Sequence, residues 1–271
     1  MIKNKIRNFA VSINFPDSHS YEPHILAVFL IYHSYLHNPI MKKSLILAAV
    51  LISAATMKAQ TDVQALYHFT NGEKHLTSTV EMFKTDNHGS NYFFVDFDYG
   101  VKDVKGATSA YWEISRGIKF WKAPFEIHVE YDGGLGQYVS TPTNGAYTIN
   151  DAWLFGGQYT WNTADFSKIF TLQAMYKTIR DKNKASFQIT GVWTLNFFKK
   201  KFTASGFLDF WKEDNTFADG STRDYTMVSQ PQFWYNLDEH LSLGSEIDLS
   251  YGFASHKNFY VNPTIAAKWT F

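Results

Sequence analysis

From Val63 onward the chain returns repeatedly to one pattern: apolar and polar side chains alternate over about ten residues, and a short polar break follows. Val63, Ala65, Tyr67 and Phe69 alternate with Gln64, Leu66, His68 and Thr70. Phe125, Ile127, Val129 and Tyr131 alternate with Glu126, His128, Glu130 and Asp132. Leu241, Leu243, Ile247, Leu249 and Tyr251 alternate with Ser242, Gly244, Glu246, Asp248 and Ser250. A two-residue period places alternate side chains on opposite faces of a strand. Such runs fall near 62–70, 75–84, 91–99, 109–120, 124–133, 147–160, 168–178, 185–196, 201–212, 224–236, 240–251 and 258–271. No window from Gln60 on has the length or the 3.6-residue period of a membrane helix.

The segment Tyr92 to Tyr99 poses the architectural question. Phe93, Val95, Phe97 and Tyr99 form a wholly apolar face, while Tyr92, Phe94, Asp96 and Asp98 mix rings with carboxylates. In a secreted sandwich the second face would meet water and aromatics would be sparse. Here the apolar faces carry rings near the strand ends: Tyr99, Tyr131, Phe202, Phe210, Tyr225, Phe233, Tyr235, Tyr251, Phe259, Trp269 and Phe271. Aromatics at those positions fit the interfacial girdles of a membrane barrel. An even strand number of this length also suits a closed antiparallel barrel across a bilayer. The expected fold is therefore an all-β transmembrane barrel of about twelve strands in the cell outer membrane of a Gram-negative bacterium.

The breaks support that reading. The longer ones, Gly133 to Ala146 and Glu213 to Arg223, follow outward-running strands and are expected as extracellular loops. The ending Ile265-Ala-Ala-Lys-Trp-Thr-Phe271 has the form of a C-terminal barrel strand. Asp151 and Arg116 fall on the apolar parity, which predicts a bulge or a displaced boundary at each.

The N-terminal region carries a separate signal. Met41-Lys-Lys is followed by the apolar run Leu45 to Ala55 and then Met57-Lys58-Ala59, the order of a secretory signal peptide with cleavage after Ala59. Residues 1–40 are read as an upstream extension from a misassigned start, and 60–271 as the barrel. From Gln60 on, 19 Lys and Arg stand against 23 Asp and Glu, a net charge of −4 that disfavours nucleic acid. The 24 Phe, 16 Tyr and 8 Trp give an aromatic share of 18%, high for a soluble enzyme. The absence of Cys removes disulfides, thiolate metal sites and cysteine nucleophiles.

If the apolar faces meet lipid, the candidate lumen residues are Glu81, Tyr92, Phe94, Asp96, Asp98, Glu113, Glu126, His128 and Glu130, with Asp209, Trp211, Gln230, Gln232 and Glu246 on later strands. Rings stack on planar solutes and carboxylates accept hydrogen bonds from hydroxyls or amines, so the set suits sugars, bases or nucleosides. The same groups pairing with Lys119, Lys268 or each other would instead plug a narrow barrel. No cofactor and no metal site are expected, because His68, His75, His88, His128, His240 and His256 show no paired spacing on one strand face.

Glu81 followed by Lys84, Asp86 and Gly89, and then Tyr92-Phe-Phe-Val-Asp96, resembles a segment of the Tsx-like nucleoside-specific channel-forming outer-membrane proteins. Tyr111-Trp-Glu-Ile-Ser115 resembles that family's next strand, and Ser229-Gln-Pro-Gln232 and Lys268-Trp-Thr-Phe271 resemble later ones. The resemblance implies a twelve-stranded barrel with a solute-selective lumen, and it reaches Glu81, Phe94, Asp96 and Glu113 individually. The turn Asp86-Asn-His-Gly89 departs from the family's pattern.

The function expected is passive uptake of small solutes, nucleosides or similar compounds. A closed structural or adhesive barrel is one alternative. A lipid-modifying barrel enzyme using Ser115 and His128 is another, less favoured; no catalytic residue is assigned. The partners expected are membrane lipid and lipopolysaccharide outside, a nucleoside-like solute inside, and the barrel assembly machinery at Phe271, with the protein a monomer.

Overall fold

In the computed structural model the described residues are 60–70, 74–101, 104–182, 184 and 186–271. The expected signal peptide and upstream extension lie outside them. The described chain is built from thirteen β segments: β1 (Gln60–His68), β2 (His75–Asp86), β3 (Gly89–Tyr99), β4 (Ala107–Ile118), β5 (Phe125–Tyr138), β6 (Gly145–Asn162), β7 (Lys168–Ile179), β8 (Ser186–Phe197), β9 (Phe202–Thr216), β10 (Thr222–Ser229), β11 (Gln232–Asn236), β12 (Leu241–Tyr251) and β13 (Tyr260–Thr270). Each pairs antiparallel with its neighbours in chain order, except that β10 and β11 do not pair with each other but each with β9 and β12, and β1 pairs with both β2 and β13. That last pairing, from Asp62↔Thr270 to His68↔Thr264, closes the sheet. A closed sheet has no edge, and so every ladder group is satisfied without water.

The thirteen segments make twelve barrel strands. Both β10 and β11 lie between β9 and β12, and their registers run through the gap unchanged: Ser229↔Leu208 is followed by Gln232↔Ser205. The gap exists because Pro231 has no N–H to give the ladder. Its carbonyl still accepts from Ile247 N at 3.0 Å, and Gln230 N still donates to Phe207 O at 3.2 Å. Opposite, Gly206 has φ +150°, and a Cβ there would lie 2.5 Å from the Gln230 carbonyl, so glycine lets the two backbones approach.

Two expected loops are shorter than the sequence suggested. Gly134 to Tyr138 pairs with Ile149 to Gly145, and Asn215 and Thr216 pair with Arg223 and Thr222, so only residues 139–144 and 217–221 connect these hairpins. Glycine and proline made the first stretch look irregular; cross-strand pairing with Tyr147, Thr148 and Ile149 overrides that local preference. Of the two off-parity residues only Asp151 lies at a bulge; the registers on both sides of β4 run unbroken through Arg116, which stays on the outer face near the strand end. The β5–β6 register shifts between Asp132 and Gly134, leaving Asn150 and Asp151 opposite Gly133. Asp151 then pairs with Arg180 at 2.7 Å, and Arg116 forms a two-pronged pair with Asp86 at 2.8 and 3.0 Å.

The registers settle which face is which. Ile114, Leu172 and Ile265 point outward at 55, 59 and 68% exposure, among many exposed Phe, Trp and Tyr. Leu66, Leu154, Met175, Trp211 and Trp234 point inward and are buried. Among the described residues the core lies in the lumen, as two small apolar clusters set in a polar lining. An apolar outer wall of this extent is stable only against lipid.

Candidate functional site

Strand parity directs every candidate lumen residue inward. In β2 and β3, Glu81 faces Phe94, Thr79 faces Asp96 and Thr77 faces Asp98 as cross-strand partners. On β4, Glu113 continues the row from Phe94 and leads to Asp132 on β5. The stagger accumulated around the barrel brings Asp96, Glu113, Glu130, Asp209 and Glu246 to similar depth, an acidic belt at the waist.

The belt breaks into separate networks. Across the closing seam, Gln64 Nε2 donates to Asp62 at 2.9 Å and to Glu81 at 3.3 Å. Gln232 Nε2 donates to Glu246 at 2.6 Å and reaches Gln64 at 3.4 Å. The Trp234 indole donates to Gln232 at 2.9 Å, and the Lys268 ammonium lies 4.3 Å from the Trp234 ring centroid. This network ties five strands together, and each buried acid in it has a partner, as burial demands.

A second network lies on β3 to β6. Glu126 accepts from Ser90 at 2.6 Å and from Gln158 at 2.9 Å, with Lys119 at 3.4 Å. His128, 1% exposed, contacts Gln158 Oε1 through Nδ1 at 2.7 Å and Glu130 through Nε2 at 2.9 Å. Both ring nitrogens are thus engaged, leaving neither for Ser115, which opposes Glu130 across the ladder. Further round, Asp209 accepts from Thr190 and Trp211 donates to Glu213 at 2.8 Å. Lys177 lies 4.5 Å from the Trp211 ring centroid, donates to Gln188 at 2.7 Å and stands 3.7 Å from Asp132. Gln230 donates to Asp248 at 2.8 Å, while Asp98 accepts from Thr77 and Ser109 at 2.7 Å each.

Between these networks runs a row of rings. Tyr92 and Phe94 have centroids 6.1 Å apart, Phe94 and Tyr111 5.9 Å, and the Tyr111 hydroxyl donates to Glu113 at 2.8 Å. Phe94 is buried at 8% exposure, so the partly exposed Tyr92 and Tyr111 present their rings to the lumen and Phe94 supports them. Gln158 and Lys177 were missed as lumen groups by sequence reasoning; extending the strand parity through β6 and β7 would have placed both.

The family model described as "Domain of unknown function (DUF5020)" matches residues 59–271. The chain belongs to that family. Among solved structures it is similar to a KdgM porin, at 12% identity and a TM-score of 0.44 over 78% of this chain and 99% of that one. A second structure of that type is titled "KdgM porin in complex with disordered oligogalacturonate". The Acinetobacter baumannii outer membrane protein Omp33 is similar at 12% identity and a TM-score of 0.38, over 79% of this chain and 97% of that one. No curated protein sequence matches the chain. The closed twelve-strand barrel, with its lipid-facing outer wall and polar interior, has the architecture of an outer-membrane β-barrel.

Proposed function

We propose that the barrel passes small planar, hydroxylated solutes, of which nucleosides are the nearest fit. The observation that carries the reading is the row Tyr92–Phe94–Tyr111 lying beside Glu81, Asp96 and Glu113 on one wall of the lumen. Tyrosine rings offer faces on which a base can stack, sequence-tolerantly and without strong binding. Carboxylates beside them accept hydrogen bonds from ribose hydroxyls and exocyclic amines. The excess of inward-facing acids over Lys119, Lys177 and Lys268 opposes anions, and so favours nucleosides over their phosphates. Weak, multiple contacts along the wall are what conduction needs, because a solute held tightly does not leave. Single-channel recording with nucleoside competition tests the reading directly.

A further inference from the structure

Glu113, Glu130 and Asp132 come together from two adjacent strands although no local spacing in the sequence announces them. Glu113 and Asp132 are direct cross-strand partners, and Glu130 lies two residues before Asp132 on the same face. One carboxylate oxygen from each lies within 4.8 Å of the others. Asp132 is 5% exposed, and its Oδ1 is buried with no hydrogen-bond partner. Its other oxygen is the one nearest Lys177, at 3.7 Å, and that ammonium already donates to Gln188 at 2.7 Å. An unpartnered carboxyl oxygen is thus buried in the wall beside two more carboxyl groups, an arrangement that a bound cation would satisfy.

We propose that Glu113, Glu130 and Asp132 form a binding site for a hard divalent cation of the size of Ca²⁺. The ligand set favours the larger ion. Ca²⁺ takes about 6–8 oxygens in flexible geometry and accepts several carboxylates, whereas Mg²⁺ keeps several waters and is usually held through one or two carboxylates. Charge agrees with geometry: the trio and Asp209 face Lys177 and His128, so the pocket keeps a negative excess even when His128 is protonated. The site shares Glu113 with the proposed solute wall, but its test reads ion binding and requires no conductance, so the two readings fail separately.

Terbium is the probe, because the Tyr111 hydroxyl is bonded to Glu113 at 2.8 Å and would sensitise the emission of a lanthanide held there. The barrel is folded in detergent, stripped with chelator and titrated with Tb³⁺. The expected result is saturable emission corresponding to one ion per barrel, reversed by Ca²⁺ at lower concentration than by Mg²⁺. Emission falls at least about tenfold in Glu113→Gln with Asp132→Asn and is unchanged in Asp219→Asn, a loop acid paired with Lys257. Saturable emission that survives the double substitution would overturn the proposal. Should the double variant fail to fold, equilibrium dialysis of the unsubstituted barrel decides: less than one Ca²⁺ retained per barrel at about millimolar calcium, the weak end of protein sites, contradicts it.

Discussion

Gly117 shows how closely the lumen wall is packed. A Cβ at that position would lie 1.9 Å from Glu126 Oε2 and 2.5 Å from Ser90 Oγ, inside the bond that joins them. Gly117→Ala is therefore expected to cost about 1–3 kcal/mol of barrel stability through overpacking and loss of that bond. Gly191 points outward with nothing within 4 Å of its would-be Cβ, so Gly191→Ala should stay within about 0.5 kcal/mol. Urea titration followed by the mobility shift between folded and unfolded barrel measures both. Asp165, in the turn between β6 and β7, offers a pH-dependent counterpart. Hydrogen bonds from the Thr163 hydroxyl, then from the Ser167 amide and hydroxyl, lower its pKa from 3.8 to about 2. A depressed folded pKa means the turn's contribution is present above 3.8 and is lost as pH falls toward 2. The Ser167 amide resonance should titrate with a midpoint near 2, and a midpoint at the ordinary aspartate value would contradict the turn geometry.

At the scale of the strand, depth in the bilayer decides what a substitution costs. Ile114 sits midway along β4 on the lipid face, and Ile114→Arg is expected to destabilise the barrel by about 2–4 kcal/mol. Phe120, in the turn after β4 and 78% exposed, should accept arginine at about 0–1 kcal/mol. Equal costs at the two sites would remove the lipid-facing assignment. These faces were legible in the sequence because alternation is set by backbone geometry: Phe93, Val95 and Phe97 could be assigned together without knowing any contact. The ends of β5, β6 and β9 were not legible, since pairs such as Gly136↔Tyr147 form only when the partner strand is present. The interruption at Pro231 was hidden for the opposite reason, because the flanking registers carry on as though it were absent.

At the scale of the molecule, closure turns twelve half-polar strands into one lined tube. Leu66 on β1, Trp234 on β11 and Ala266 on β13 pack together inside, and Gln64 reaches Gln232 across the same seam. Which acids would face inward followed from parity, but which would meet across strands did not. That depends on stagger accumulated around the closed sheet, and so the Glu113–Glu130–Asp132 trio and the Glu81–Gln64–Gln232–Glu246 chain emerge only in three dimensions. The central claim is that this interior is a path for small planar solutes. The most direct test is single-channel recording of residues 60–271 in planar bilayers with adenosine or thymidine added at rising concentration. The account predicts small, discrete conductances that the nucleosides block saturably, with weaker block when Tyr92 and Tyr111 are replaced by alanine. Silent bilayers from a barrel that migrates as folded, or currents indifferent to nucleosides at every concentration, would contradict it.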